Sequence, residues 1–314
     1  MSIDPDDILR RGRPTTRRGL FRALGRRDEE PLTAPDRDAE YFDEAPPAAG
    51  SIVPVLAGED LIAEIHASTE ETGMHIWWLG QSGFLIQIAG EHLLLDPYLS
   101  DSLTAKYAGT DTPYERITGL VVDPALLSFV DVVTSSHAHL DHLDPGTLPH
   151  VLGGNAALVC AAGSEQTATE RAGRKPDAVL GIGDDATFRG FWMEAVPAYH
   201  EGAPEAVGYM VRNGAYAIYH AGDSRRVEGM AEAVAPHGVD VAFVPINGKL
   251  GNMNGADAAR LAYEAGATIA IPCHHEMFRC NTASTSRFVA ECARIGQEYR
   301  LPRAGERITI DYGF

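Results

Sequence analysis

The feature that most constrains this chain is a ten-residue stretch, Ser135-Ser136-His137-Ala138-His139-Leu140-Asp141-His142-Leu143-Asp144. Within six positions it carries three imidazoles and a carboxylate: His137, His139, Asp141 and His142. The preceding segment, residues 129–134, is apolar and β-branched and reads as a buried strand. The following Asp144-Pro145-Gly146 is a helix-start signal. The four donors therefore sit on a loop at a strand end. Histidine and carboxylate together are a donor set for zinc, manganese or iron(II). A solvated loop has no need of that pattern beside a buried strand, so the fold expected is one that ends strands around metal.

Composition narrows the field. A chain of 314 residues suits one large or two small domains and is ample for a buried core. A net charge of −18 argues against a nucleic-acid surface, which needs clustered positive charge. No apolar run approaches the roughly 18 residues of a membrane-spanning helix, so no membrane partner is expected. Cys160, Cys273, Cys280 and Cys292 lack the short paired spacing of zinc fingers or redox motifs. They read as reduced thiols of a cytoplasmic protein.

The charge is unevenly spread. Eight arginines between Arg10 and Arg27 face only three acids, Asp4, Asp6 and Asp7, so residues 1–27 carry +5 and the remainder −23. A proline-rich acidic stretch follows, ending in Ala45-Pro46-Pro47. We read residues 1–50 as a disordered or loosely docked arm with a short helix at 17–25, and residues 51–314 as the folded domain that carries the donor motif. Thr16-Arg17-Arg18-Gly19-Leu20-Phe21 resembles a twin-arginine export signal, but no apolar core follows it, so export is not expected.

Further on, Leu61, Ile62 and Ile65 mark a helix over 58–70. Residues 75–97 read as a three-stranded meander: 76–79, 84–88 and 93–96, with Gly80-Gln81-Ser82-Gly83 as the first turn and Glu91-His92 at the second. Asp96 ends the third strand, where it can cap the turn at Pro97 or stand behind a metal ligand. Strands are then expected at 156–160, 187–199, 207–211, 215–219, 239–245 and 268–272. Helices are expected at 147–152, 164–172, 226–235, 254–265 and 284–298, with Asn254 as an N-cap. Strands first and strand–helix alternation afterwards suit two packed sheets with helices outside.

Other donors follow strands. His200 ends one, Asp223 follows another after the small turn Ala221-Gly222, and His274 and His275 follow a third. His220 lies on a strand and reads as structural or as support for a ligand. Arg225, Arg226 and Lys249 could meet a phosphate or carboxylate on a substrate. A solvated helix start explains the two arginines equally well.

These residues carry a resemblance. His137-Ala138-His139-Leu140-Asp141-His142 resembles the His-x-His-x-Asp-His signature of the metallo-β-lactamase superfamily, and His200, Gly222-Asp223 and His274 follow in that superfamily's order. Trp77-Trp78-Leu79-Gly80-Gln81-Ser82-Gly83, Tyr219-His220-Ala221-Gly222-Asp223-Ser224 and Ile271-Pro272-Cys273-His274-His275 are similar to the branch containing L-ascorbate-6-phosphate lactonase. Asn247-Gly248 and Gly251-Asn252-Met253-Asn254 are similar to it as well. The likeness covers about residues 75–290.

The resemblance implies an α/β fold: an αββα sandwich of two mixed β-sheets with outer helices. It also implies two divalent ions, zinc or manganese with iron also acceptable. His137, His139 and His200 would hold one ion and Asp141, His142 and His274 the other, with Asp223 bridging. Hydroxide held by the metals would attack a carbonyl or phosphorus, with Asp141 and Asp223 in the catalytic set. The ligand lies two residues after Pro272, at His274, which leaves His275 as a supporting donor or substrate contact. Asp96, His220, Asn247, Arg225, Arg226 and Lys249 are the remaining candidates around the site. The expected activity is hydrolysis of a lactone, sugar-derived or phosphorylated. The alternatives are a phosphodiesterase on the same two-metal site and a non-catalytic metal-containing binding protein using the basic arm. The motif lacks no ligand, which disfavours the last. The expected partner is a small anionic substrate, and a homo-oligomer is compatible with this reading.

Overall fold

Backbone hydrogen bonds sort the strands into two mixed sheets. The structure, a computed structural model, describes residues 46–312. The arm expected over 1–50, with its helix at 17–25, lies outside the described residues except for 46–50.

The first sheet begins with the meander β1 (Met74–Gly80), β2 (Gly83–Ile88) and β3 (Glu91–Leu95). It continues through β4 (Val132–Ser135), β5 (Ala157–Ala161) and β6 (Ala178–Leu180), and β13 (Arg307–Ile310) joins it beside β1. The order is β13-β1-β2-β3-β4-β5-β6, antiparallel as far as β3 and parallel from β3 to β6. The second sheet holds β7 (Asp185–Phe188), β8 (Phe191–Pro197), β9 (Val207–Asn213), β10 (Tyr216–His220), β11 (Val241–Pro245) and β12 (Ile269–Cys273). Its order is β12-β11-β10-β9-β8-β7, parallel from β10 to β12 and antiparallel elsewhere.

The side chains show how the layers form. On β10, β11 and β12, Ile218, Val241, Phe243, Ile269 and Ile271 face the core shared with the first sheet. The intervening Ala217, Tyr219, Ala242, Val244 and Ala270 pack on the other side against Met230, Leu261, Phe288 and Cys292. A strand buried on both faces reads as a continuous apolar run, as these do. Phe84 of β2 stacks on Phe243 of β11 with ring centroids 4.0 Å apart, joining the two sheets. Leu61 and Ile65 of the helix Gly58–Ala67 cover the outside of the first sheet. The expected αββα sandwich is what the structure shows.

Several boundaries differ from the sequence expectation. The strand expected over 187–199 is the hairpin β7–β8, because Arg189 takes a left-handed backbone (φ 47°) and reverses the chain. The second meander turn lies at Ala89-Gly90, both left-handed (φ 51° and 79°), so Glu91 and His92 belong to β3. The strand before the donor loop starts at Val132 rather than Phe129, and the helix expected at 226–235 starts at Met230. Asn254 is the N-cap expected: its side chain accepts from the amides of Ala256 and Asp257. Among the described residues no helix is long and apolar enough to cross a membrane.

The helices Gly255–Glu264 and Ser286–Ile295 lie so close that a Cβ on Gly255 would stand 2.6 Å from the Phe288 amide nitrogen. Glu291 clamps the pair, accepting from Arg260 Nε at 2.6 Å and from Arg294 Nε and Nη2 at 2.8 and 2.7 Å. The Arg294 hydrogen bonds first, then Arg260, hold the Glu291 carboxyl down at about 2. A depressed carboxyl stabilises the fold above its unfolded pKa of about 4.3, and the contribution fades as pH falls toward the folded value. Glu291→Gln is therefore expected to cost about 1–2 kcal/mol at pH 7. Urea melts of both proteins should show that gap narrowing as pH falls from 5 toward 2.

Candidate metal centre

The donor loop leaves β4 at Ser135 and is fixed from beneath before it presents any ligand. Ser135 Oγ donates to the His137 carbonyl at 2.9 Å, and the Tyr209 hydroxyl donates to the Ser135 carbonyl at 2.9 Å. Arg171, on the helix Glu165–Ala172, donates from Nη1 to the carbonyls of Ala138 at 2.7 Å and Leu143 at 3.0 Å. With its carbonyls held, the loop can turn its imidazoles to one side.

His137, His139 and His200 form the first donor group. His139 Nδ1 lies 2.9 Å from His137 Nε2 and 3.2 Å from His200 Nε2. A ring nitrogen carries one N–H or one lone pair, so His139 Nδ1 can hydrogen-bond only one of the two. A cation taking a lone pair from each ring resolves that conflict. Burial lowers the pKa of all three, well below the ordinary histidine value for His137. The neutral form is the one that ligates metal.

Asp141, His142 and His274 form the second group. His274 Nε2 lies 3.4 Å from Asp141 Oδ2, and His142 Nε2 lies 3.7 Å from the same oxygen. Asp223, just beyond the end of β10, stands between the groups. Its Oδ1 is 3.3 Å from His142 Nε2, and its Oδ2 is 3.2 Å from His274 Nε2 and 3.8 Å from His200 Nε2. Burial opposes charge on His142 and His274, but Asp223 and Asp141 outweigh it. His142 is held well above its ordinary value and His274 is raised to about 9. Burial likewise pushes Asp223 up, and His274 and His142 more than offset it, holding the carboxyl well below its usual range. His142 Nε2 and Asp223 Oδ1 are buried without a hydrogen bond among the described residues. Donor atoms that face one another, lack partners and combine imidazole with carboxylate fit divalent metal.

The structure places the remaining candidates as follows. Asp96 is fully buried and accepts from the Ser136 amide at 2.9 Å, from the Ser136 hydroxyl and from His142 Nδ1 at 2.7 Å. It thereby fixes the His142 tautomer with Nε2 free to ligate. His220 faces the Ser82 carbonyl at 3.1 Å through Nε2, which makes it a link between the sheets. His275 turns from the donor groups and packs against Trp78, ring centroids 4.6 Å apart, and burial pushes it down to about 4. Asn247 lines the cleft over the donors. Arg225, Arg226 and Lys249 are not among the lining residues. Arg226 pairs with Glu264, and Lys249 donates to the Cys280 carbonyl at 3.1 Å.

Comparison with known proteins places the chain in a family. Residues 75–274 match the family described as the beta-lactamase superfamily domain. The chain belongs to the beta-lactamase superfamily. A protein named UPF0173 metal-dependent hydrolase, from Opitutus terrae, is 29% identical over 252 residues, covering 76% of this chain and 100% of that one. Among solved structures, a metallo hydrolase from Ignicoccus hospitalis aligns with a TM-score of 0.59 at 21% identity, covering 77% of this chain and 100% of that one. Isothiocyanate hydrolase from Delia radicum gut bacteria aligns with a TM-score of 0.61 at 19% identity, covering 76% and 99%. At these identities the two structures speak for the fold alone.

In this member of the beta-lactamase superfamily the cleft over the donors measures about 420 Å³. Beside His139, Asp141, His200, Asp223 and His274, its walls include Lys106, Tyr107, Tyr114, Leu250 and Asn252. Sequence reasoning missed these wall residues because they come from the helix Ser102–Tyr107 and irregular loops, which carry no periodic signal. It also missed Gln81. That residue appeared in a turn and in the stretch similar to the lactonase branch but was given no role at the site, yet its side chain reaches the second donor group. A left-handed, non-glycine backbone occurs at Gln81 (φ 50°), Asp96 (φ 37°) and His274 (φ 59°). Each costs on the order of 1–3 kcal/mol, and such strain gathers at functional sites.

The Asp96 contacts give the expected result for Asp96→Asn. Neutralising the group behind His142 should weaken binding of divalent metal by about 10–100-fold. Calorimetric titration of the metal-stripped protein with zinc or manganese measures it.

Proposed function

We propose that this chain is a metal-dependent hydrolase that uses two divalent ions to open a lactone or a similar strained ester. The observation that carries the reading is Asp223, whose two oxygens face both imidazole groups at 3.2–3.8 Å. A carboxylate shared between two donor sets built mainly of imidazoles is what a pair of nearby cations requires. Relatives named metal-dependent hydrolase align over about three quarters of this chain, which supports the reaction class. The lactone rests on the resemblance of residues 77–83, 219–224 and 271–275 to the lactonase branch.

His137, His139 and His200 would hold one ion, Asp141, His142 and His274 the other, with Asp223 between them. Bound metal would supply Lewis acidity and bring the ionisation of water toward pH ~7. The protein's own part is positional. Asp96 and Arg171 keep the donor loop in place, so the ester meets a preformed site. Asp141 lies on the cleft wall, and His142, His274 and the Gln81 hydrogen bond keep its carboxylate ionised, the form that would hold metal. The hydroxide adds to the acyl carbon, the acyl C–O bond breaks, and the proton given up by the water ends on the leaving alkoxide oxygen. Lys106 at the wall offers a cation for an anionic substituent. The same lysine favours a phosphodiester as the second reading.

A lactone panel and bis-(p-nitrophenyl) phosphate separate the two readings. Chelation should abolish ring opening, and added manganese or zinc should restore it. Asp223→Asn and His137→Ala should each lower kcat/KM by at least about 100-fold. Turnover of the phosphodiester with none of any lactone overturns the first reading in favour of the second.

A further inference from the structure

Gln81 is the residue about which the structure says most beyond the ligand motif. It sits in the turn between β1 and β2, is fully buried and adopts a left-handed backbone that an L-residue rarely takes. Its backbone carbonyl accepts the amide of His274 at 3.0 Å and Trp78 Nε1 at 3.0 Å. Its side-chain Nε2 donates to Asp141 Oδ2 at 2.7 Å and lies 3.0 Å from His274 Nε2. Two oxygens would repel at 2.7 Å from each other, so the nitrogen end of the carboxamide must face Asp141. Its Oε1 is buried and makes no hydrogen bond among the described residues. One residue thus grips two of the three ligands of the second group, Asp141 by its side chain and His274 by its backbone. Among the described residues its side-chain hydrogen bonds reach Asp141 and His274, not His137, His139 or His200.

We propose that Gln81 is a positioning residue dedicated to one ion, the one held by Asp141, His142 and His274. This rests on the two-metal reading above. A carboxylate oxygen has lone pairs for both an N–H and a cation, so the Gln81 hydrogen bond orients Asp141 without consuming it as a ligand. Holding Asp141 and His274 at a fixed separation lowers the ordering cost of seating that ion. In the left-handed turn the carbonyl meets the His274 amide while the side-chain amide reaches Asp141. The first group of three imidazoles is built without Gln81 and should not respond to its loss.

The test titrates metal-stripped full-length protein with cobalt(II), zinc or manganese alone, followed by calorimetry and, for cobalt, by visible absorption. Gln81→Met keeps the length of the side chain and removes the N–H. Gln81→Asn keeps the carboxamide but retracts it from Asp141. Wild type should show two binding steps. In each variant one step should weaken by about 10–100-fold while the other stays within about 3-fold. Circular dichroism and thermal melts of the metal-free variants establish folding. If Gln81→Met does not fold, the same selective loss is required of Gln81→Asn. Both steps unchanged, both weakened alike, or either one tightened would overturn the role given to Gln81 while leaving the two-metal reading standing. A wild type that takes up a single ion or none would overturn the two-metal reading, and this proposal with it.

Discussion

Everything around this site depends on burying three carboxylates, Asp96, Asp141 and Asp223, at one edge of a sandwich with a large apolar core. Removing a charge from water costs several kcal/mol unless partners compensate. The compensation is layered. Asp96 receives the Ser136 amide and hydroxyl and His142, so it is answered by the protein alone. Asp141 and Asp223 face ring nitrogens that are themselves short of partners. Their balance becomes complete only when cations share the lone pairs. The fold tolerates the arrangement because the two sheets pack closely behind it, with Phe84 stacked on Phe243 between them.

The second constraint is the backbone. Gln81, Asp96 and His274 each adopt a conformation that suits glycine better, and each contacts a ligand or is one. The chain gives up local comfort to aim side chains, and the sheets behind supply the rigidity. Gly80 and Gly222 serve the same end by close approach. A Cβ on Gly80 would meet Met277 Cε at 2.4 Å, and one on Gly222 would meet the Val207 carbonyl at 2.8 Å. The small turn before Asp223 is thus a spatial necessity.

Much of this was legible in the sequence. The strand before His137 and the histidines after β8 and β12 are short-range patterns, in which burial periodicity and donor type coincide. The two-sheet sandwich followed from the order of elements. What stayed hidden depends on contacts remote in sequence. Gln81 is a plain turn residue until Asp141 is brought beside it. Arg171 is a helix-surface cation until the donor loop lies over it. The choice of His274 over His275 rested on family likeness, since adjacent histidines differ only in which way the backbone turns at φ 59°. The split of residues 187–199 into a hairpin failed for the same reason, because the left-handed Arg189 leaves no mark on composition.

The place of β13 has a consequence for how the molecule comes into being. β1 is among the first strands made, yet one of its two neighbours is β13, which follows every other described strand in the chain. During synthesis β1 therefore presents an unpaired edge, with Ile76, Trp77 and Trp78 beside it, while roughly two hundred residues are still to emerge. An open apolar edge invites pairing with another nascent copy. That edge closes only when β13 pairs with it, so the last described strand completes the sheet that the first one begins.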